Sequence, residues 1–184
     1  MRPVSRCLLL LLLGTSLFCA VSGNSRPRGS SSTLVLEATN TMRGIGGYKN
    51  TLLLVRLSDD GRLEWDNYVG NAWQRQVGSV PIQRVSAIKT SLDAVDGSRM
   101  RGTMGPFHTY ADTSNALRVR LATSHGVLAF TLINPWSCEV PSCLTRKPLS
   151  KDLKTVVCEI ERLRAEVVRD EHIDQICRNT DARQ

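Results

Sequence analysis

The patterning of apolar and polar residues predicts an α+β domain: a mainly antiparallel sheet of about five to six strands with two helices packed on one face. Three observations carry this. Alternating runs flank turn residues around Asp59-Asp60-Gly61 and His125-Gly126, which reads as two hairpins. Two segments switch to helical spacing, at 81–96 and from Ser150 onward. The order is strands, helix, strands, helix, and hairpin-connected strands pair antiparallel.

Residues 1–23 read as a secretory signal peptide. Arg2 and Arg6 make a positive start, and Cys7 is followed by leucines through Leu13. Apolar character continues through Leu17, Phe18 and Val21, and Ala20, Ser22 and Gly23 give a small-residue exit, so cleavage fits after Ser22 or Gly23. The run falls short of the roughly 20 residues that span a bilayer, which argues against an uncleaved anchor. Phe18 stands where a lipoprotein signal wants a small residue before Cys19, which argues against lipidation. No other apolar run is long enough to cross a membrane, so no stable insertion is expected after signal removal. Residues 24–32 hold no large apolar residue and read as a flexible tail. One domain is expected over 33–177 and a C-terminal tail over 178–184.

Within the domain, residues 33–39 alternate with Leu34, Leu36 and Ala38 on one face. Residues 40–50, with Gly44, Gly46 and Gly47, read as a loop. A strand over 51–57 leads through the Asp-Asp-Gly turn to a strand over 62–68, in which Leu63, Trp65 and Asn67 oppose Arg62, Glu64 and Asp66. A further short strand fits 72–77. Over 81–96, Ile82, Val85, Ile88, Leu92 and Val95 fall at helical spacing, with Ser79 as cap, Pro81 in the first turn and Gly97 as stop. Residues 97–115 form the longest irregular stretch. Leu117, Val119 and Leu121 then alternate with Arg118 and Arg120, and 127–133 return as a strand. After a proline-containing loop over 134–148, Ser150 caps a helix with the stripe Leu153, Val156, Val157, Ile160, Leu163 and Val167.

Of the six cysteines, Cys7 and Cys19 leave with the signal. The remaining Cys138, Cys143, Cys158 and Cys177 lie in the last third, and an even set in an exported chain predicts two intramolecular disulfides. Cys138 and Cys143, with Pro141 between them, suit a small ring. Cys158 and Cys177 would be about 28 Å apart on one straight helix. Either the chain turns back near Asp170–His172 or each pairs elsewhere, and a buried thiol at Cys158 is a further alternative. Zinc held by Cys138, Cys143 and His172 would lack the two close pairs of a structural site, so no metal is expected.

The net charge of +7 becomes +5 without Arg2 and Arg6. The positive residues are scattered, densest at Arg26 and Arg28, and lack the basic stripe interleaved with aromatics that nucleic acid requires. There is no Gly-x-Ser-x-Gly elbow, and the glycines at 44–47 lack the spacing of a nucleotide-binding loop. Asp59 with Asp60, and Glu64 with Asp66, sit in or beside a turn as ordinary solvated charge. No catalytic residue and no cofactor is assigned. Phe107, His108 and Tyr110 lie together in the irregular stretch near Asp112 and are ligand-binding candidates, with core packing of Phe107 and Tyr110 as the alternative. Trp65 should face the core beside Leu63. Trp73, among Gln74, Arg75 and Gln76, marks a contact surface where exposed, although core packing is the favoured reading.

The stretch Leu54-Val55-Arg56-Leu57-Ser58-Asp59-Asp60-Gly61-Arg62-Leu63-Glu64-Trp65 resembles small exported bacterial proteins of unknown function. In those, a strand, an Asp-Gly turn and a Glu-Trp/Tyr strand precede a helix opening with Pro, and residues 81–92 fit that layout. The similarity covers about the middle half of the mature chain, rests on turn and core pattern, and carries no catalytic residue across. It implies a bacterial exported domain.

The function expected is an exported, secreted or periplasmic, non-catalytic domain that binds a protein or envelope component. The alternatives are a secreted enzyme inhibitor acting through loops 40–50 and 97–115, and a hydrolase using His108 with Asp112. Native mass spectrometry of protein from the exported fraction should give a mass lacking residues 1–22 or 1–23 and four protons below that of the reduced form. A full-length or lipid-bearing mass would contradict the signal peptide.

Overall fold

Each strand expected from the alternation forms, and pairing extends several of them into segments that read as loop. The computed structural model describes residues 32–43, 49–107, 114–135, 148–168 and Cys177. The signal peptide, the tail apart from Ser32, and residues 178–184 lie outside the described residues, as do His108, Tyr110, Asp112, Trp136, Cys138, Cys143 and His172. The strands are β1 (Leu34–Arg43), β2 (Lys49–Ser58), β3 (Arg62–Val69), β4 (Ala72–Ser79), β5 (Gly102–Met104), β6 (Ser114–Thr123) and β7 (Gly126–Ile133). The helices are α1 (Ile82–Asp93) and α2 (Lys151–Val168).

The architecture is α+β, with a seven-stranded sheet in the order β4-β3-β2-β1-β6-β7-β5. All neighbours are antiparallel except β5, which runs parallel to β7. Seven strands replace the five to six expected because β5 is three residues long and lies in the stretch that reads as irregular. So short a strand carries no alternation to detect. Residues 40–43 and 49–50 are strand, not loop, because β1 is paired along one edge to β2 and along the other to β6. Two ladders satisfy backbone groups that local sequence does not mark.

Leu36, Ala38, Val55, Leu57, Leu63, Leu117, Val119, Leu121 and Leu132 are buried in one core cluster with residues of both helices. From α1 come Val85, Ile88 and Leu92; from α2 come Leu153, Val156, Val157, Ile160 and Leu163. Each such side chain contributes about 1.5–3 kcal/mol when fully buried, so apolar packing dominates the docking of α2. The helices also meet each other. Glu159 of α2 is almost fully buried and is paired with Arg84 of α1 at 3.4 Å and with Arg162 at 3.2 Å, while the Ser91 hydroxyl donates to it at 3.4 Å. A buried carboxylate is tolerable only with such partners.

The caps divide between expectation and correction. The Leu153 N–H donates to the Ser150 hydroxyl at 3.3 Å, as the sequence predicts. Ser79 does not cap α1, because it ends β4. The N-cap is Pro81, with no side-chain bond, and its carbonyl accepts from Arg84 and Val85. The helix stops at Asp93, and Gly97 begins a 3₁₀ turn, Gly97–Arg99. The β2–β3 turn is built from side chains. Asp60 accepts from the Arg62 N–H at 3.0 Å and Asp59 accepts from the Thr33 N–H at 2.8 Å, tying the turn to the start of β1. Gly61 has φ +85°, and a Cβ there would collide with the Val80 carbonyl.

Cys158 and Cys177 are joined by a disulfide with a Cα–Cα distance of 5.5 Å, so they do not share one straight helix. The pair closes a loop of 19 residues. Among the described residues, no helix is long and apolar enough to cross a membrane. Cys158→Ala with Cys177→Ala should lower stability by about 3 kcal/mol, the chain-entropy value for such a loop, with the fold retained by the α2 core. Chemical denaturation and circular dichroism check this; loss of all helix and sheet signal would show that the disulfide holds the fold itself.

Candidate binding surface

Among the described residues, both helices pack on one face of the sheet and none covers the other. Strand alternation sends Glu37 and Thr39 of β1 away from the core while Leu36 and Ala38 enter it. Register then aligns the outward residues of neighbouring strands. Glu64, Arg56, Glu37 and Arg120 stand opposite one another in a row across β3, β2, β1 and β6. Glu37 pairs with Arg56 at 2.6 Å and with Arg120 at 3.7 Å. Glu64 pairs with Arg56 at 3.4 Å, Arg62 at 2.9 Å and Arg75 at 3.7 Å. The arginine ends of these pairs are exposed and the carboxylates only partly buried, so each is worth on the order of 1 kcal/mol, and their main effect is to hold the guanidinium groups in place.

One step along the strands lies a row of different chemistry. Thr39, Arg118, Thr131 and Thr103 are register partners across β1, β6, β7 and β5. They line an open concavity of about 480 Å³, together with Glu37 and Arg120. Among the described residues, the Arg118 side chain makes no ion pair or hydrogen bond, and the three threonine hydroxyls are likewise unengaged. Among the described residues in the body of the open face, five arginines (56, 62, 75, 118 and 120) meet three carboxylates (Glu37, Glu64 and Asp66), an excess of positive charge.

At the other end of the sheet the β3–β4 hairpin peels away. Strand β3 pairs with β2 at only two positions, Arg56↔Glu64 and Leu57↔Leu63, but with β4 along its whole length. Side chains close the opened ladder. The Leu53 N–H donates to the Asp66 carboxylate at 2.7 Å, and Arg164 of α2 donates to the Leu54 carbonyl at 3.0 Å and the Asp66 carbonyl at 3.2 Å. Asp66 also takes the Arg75 guanidinium at 2.6 Å. Burial pushes the Asp66 carboxyl up, but the Arg75 hydrogen bond, the Leu53 N–H and the charges of Arg75 and Arg164 outweigh it and hold it below its ordinary value of 3.8.

Beyond this brace the hairpin carries Tyr68 opposite Trp73, with ring centroids 5.4 Å apart in an edge-to-face arrangement. Tyr68 is 56% exposed and Trp73 43%. Gly70, at φ +64°, permits the tight turn between them. By strand alternation both rings belong to the open face of the sheet, whereas Trp65 turns to the core side and packs over Gly78.

Of the residues singled out by sequence, Trp73 is exposed and not packed in the core, because strand alternation on edge strand β4 turns it to the face opposite Leu63 and Trp65. Phe107 is buried in the core cluster, where its backbone N–H also donates to the Ile133 carbonyl at 3.0 Å. His108 and Tyr110, and the His108–Asp112 pairing, lie outside the described residues, as does any Cys138–Cys143 ring. Among the described residues there is no cluster of three or more metal-capable side chains. Sequence reading missed the open face: the arginines look scattered along the chain, and only register collects them. The Arg118-x-Arg120 alternation was the one local sign. Compared with models of known protein families and with curated proteins, the chain matches none.

Asp66→Ala should destabilise by about 1–3 kcal/mol, because it strands the Leu53 N–H and the Arg75 charge. The folded-state carboxyl ionises more readily than the unfolded one, so its contribution is complete above 3.8 and is lost as pH falls through the lower folded-state value. Thermal melts of both proteins should therefore diverge near neutral pH and converge in acid; a gap independent of pH would remove the ion pair from the account.

Proposed function

We propose that the protein is an exported, non-catalytic binding domain that presents the open face of its sheet and the Tyr68/Trp73 hairpin to a protein or envelope component. The observation that carries this reading is the aromatic pair. Two large rings stand in solvent, locked against each other, on a hairpin whose base is braced by Asp66 and Arg164. Tyrosine, tryptophan and arginine dominate the energetics of protein interfaces, and a pre-positioned pair has little rotamer freedom left to lose. The N-terminal pattern supports export, and a disulfide at Cys158–Cys177 fits an oxidising compartment, outside the cell or in a periplasm.

An inhibitor acting through loops 40–50 and 97–115 has less support. Residues 40–43, 49–50 and 102–104 are bound into the sheet, so their backbone is not free to enter a cleft.

Affinity capture from the exported fraction with wild type, Tyr68→Ala and Trp73→Ala tests the reading. Either substitution should weaken capture tenfold or more, about the loss expected of an interface anchor, while the melting temperature stays the same. Equal capture by all three would remove the hairpin from the binding surface.

A further inference from the structure

We infer that the row Thr39–Arg118–Thr131–Thr103, with Arg120 beside it, is a binding site for a tetrahedral oxyanion, the phosphate or sulfate of an ester group. The inference rests on reading the open face as a binding surface, but not on the aromatic hairpin. Its first support is the difference between two adjacent rows. Glu37 and Glu64 occupy Arg56, Arg62 and Arg75, and Glu37 reaches Arg120 only at 3.7 Å. Among the described residues Arg118 has no carboxylate partner, and its strand neighbours on both sides are threonines.

The donor set decides the ligand class. Arg118 and Arg120 lie two residues apart on the same face of β6, so their Cα atoms are about 6.5–7 Å apart. Neighbouring strands place the Cβ atoms of Thr39 and Thr131 about 4.5–5.5 Å from that of Arg118, with their hydroxyls on the same face. A guanidinium fork engages two oxygens of an anion. That would satisfy a carboxylate and leave the hydroxyls idle. A phosphate or sulfate ester has further oxygens, and the flanking threonines and Arg120 are placed to donate to them. The concavity, at about 480 Å³, exceeds one such group and is open, which suits an ester attached to a larger molecule. Glu37 also lines it but does not bar an anion, since Arg56 holds its carboxylate at 2.6 Å.

The test is amide and arginine side-chain NMR of the full mature chain, titrated with inorganic phosphate and inorganic sulfate at constant ionic strength. Both anions should give saturable shifts confined to β6, β7, β5 and the middle of β1. Arg118→Gln should weaken binding at least tenfold and Thr131→Val measurably, while Lys89→Gln, of equal charge change on the exposed side of α1, should alter it less than twofold. Tighter binding of phosphate, rising with pH as it takes its second charge, would identify a phosphate ester as the natural group. Tighter, pH-independent binding of sulfate would identify a sulfate ester; either supports the site. Unsaturable shifts, or equal loss in Arg118→Gln and Lys89→Gln, would overturn it as diffuse charge attraction. Trp73→Ala should leave anion binding unchanged, so failure of the hairpin reading and failure of this one are separable.

Discussion

Strand β1 is hydrogen-bonded along both edges, and its register fixes both faces of the sheet at once. Leu36 and Ala38 reach the core only if Glu37 and Thr39 point the other way. A slip of one residue would drive Glu37 under the helices and expose two buried apolar side chains. The core therefore specifies the register, and the register in turn sets Glu37 between Arg56 and Arg120 and Thr39 beside Arg118. The charge rows of the open face are a consequence of apolar packing on the opposite face. A shift in the β1–β2 pairing between Ala38 and Thr39 marks a bulge, and beyond it Leu53, not Leu54, stands opposite Thr39.

The same economy appears where β3 leaves β2. A ladder that opens after two pairs would ordinarily leave buried backbone groups without partners, at about 1–3 kcal/mol each. Here the Asp66 carboxylate and the Arg164 guanidinium take over the positions of a missing strand segment. Because Arg164 belongs to α2, the direction of the hairpin depends on the docking of that helix. The α2 stripe, its disulfide to Cys177 and the orientation of Tyr68 and Trp73 thus form one mechanical chain. Such a brace explains how a hairpin can project from the sheet without becoming loose.

What the sequence made legible follows the same physics. The α2 stripe, the Ser150 cap, the turn at Asp59–Gly61 and the inward set Leu117, Val119 and Leu121 are local patterns, and each is present in the fold. Strand ends at 40–43 and 49–50, the short β5 and the α1 start at Ile82 depend on partners remote in sequence, and alternation alone does not reveal them. The exposure of Trp73 is of this second kind. Its neighbours are as compatible with a half-buried strand as with an edge, and only the strand order places β4 last. The open-face site is the extreme case. Thr39, Thr103, Arg118 and Thr131 come from four strands, and no window of sequence contains them together.

Antiparallel sheets commonly leave one face to water, so an uncovered face is not in itself a function. The distinction lies in how this one is furnished. A face selected for solubility alone needs scattered charge, and pairing each arginine with an acidic neighbour would keep it so. Three of the arginines on this face are treated in that way by Glu37, Glu64 and Asp66, with contacts of 2.6–2.9 Å. Among the described residues, Arg118 has no such partner, and threonines flank it on both neighbouring strands. Threonine there suits β-structure and adds hydroxyl donors without adding negative charge. Neutralising a carboxylate row on one side while leaving a cationic, hydroxyl-lined row beside it creates a local excess of donors, and that excess is what an incoming anion would satisfy.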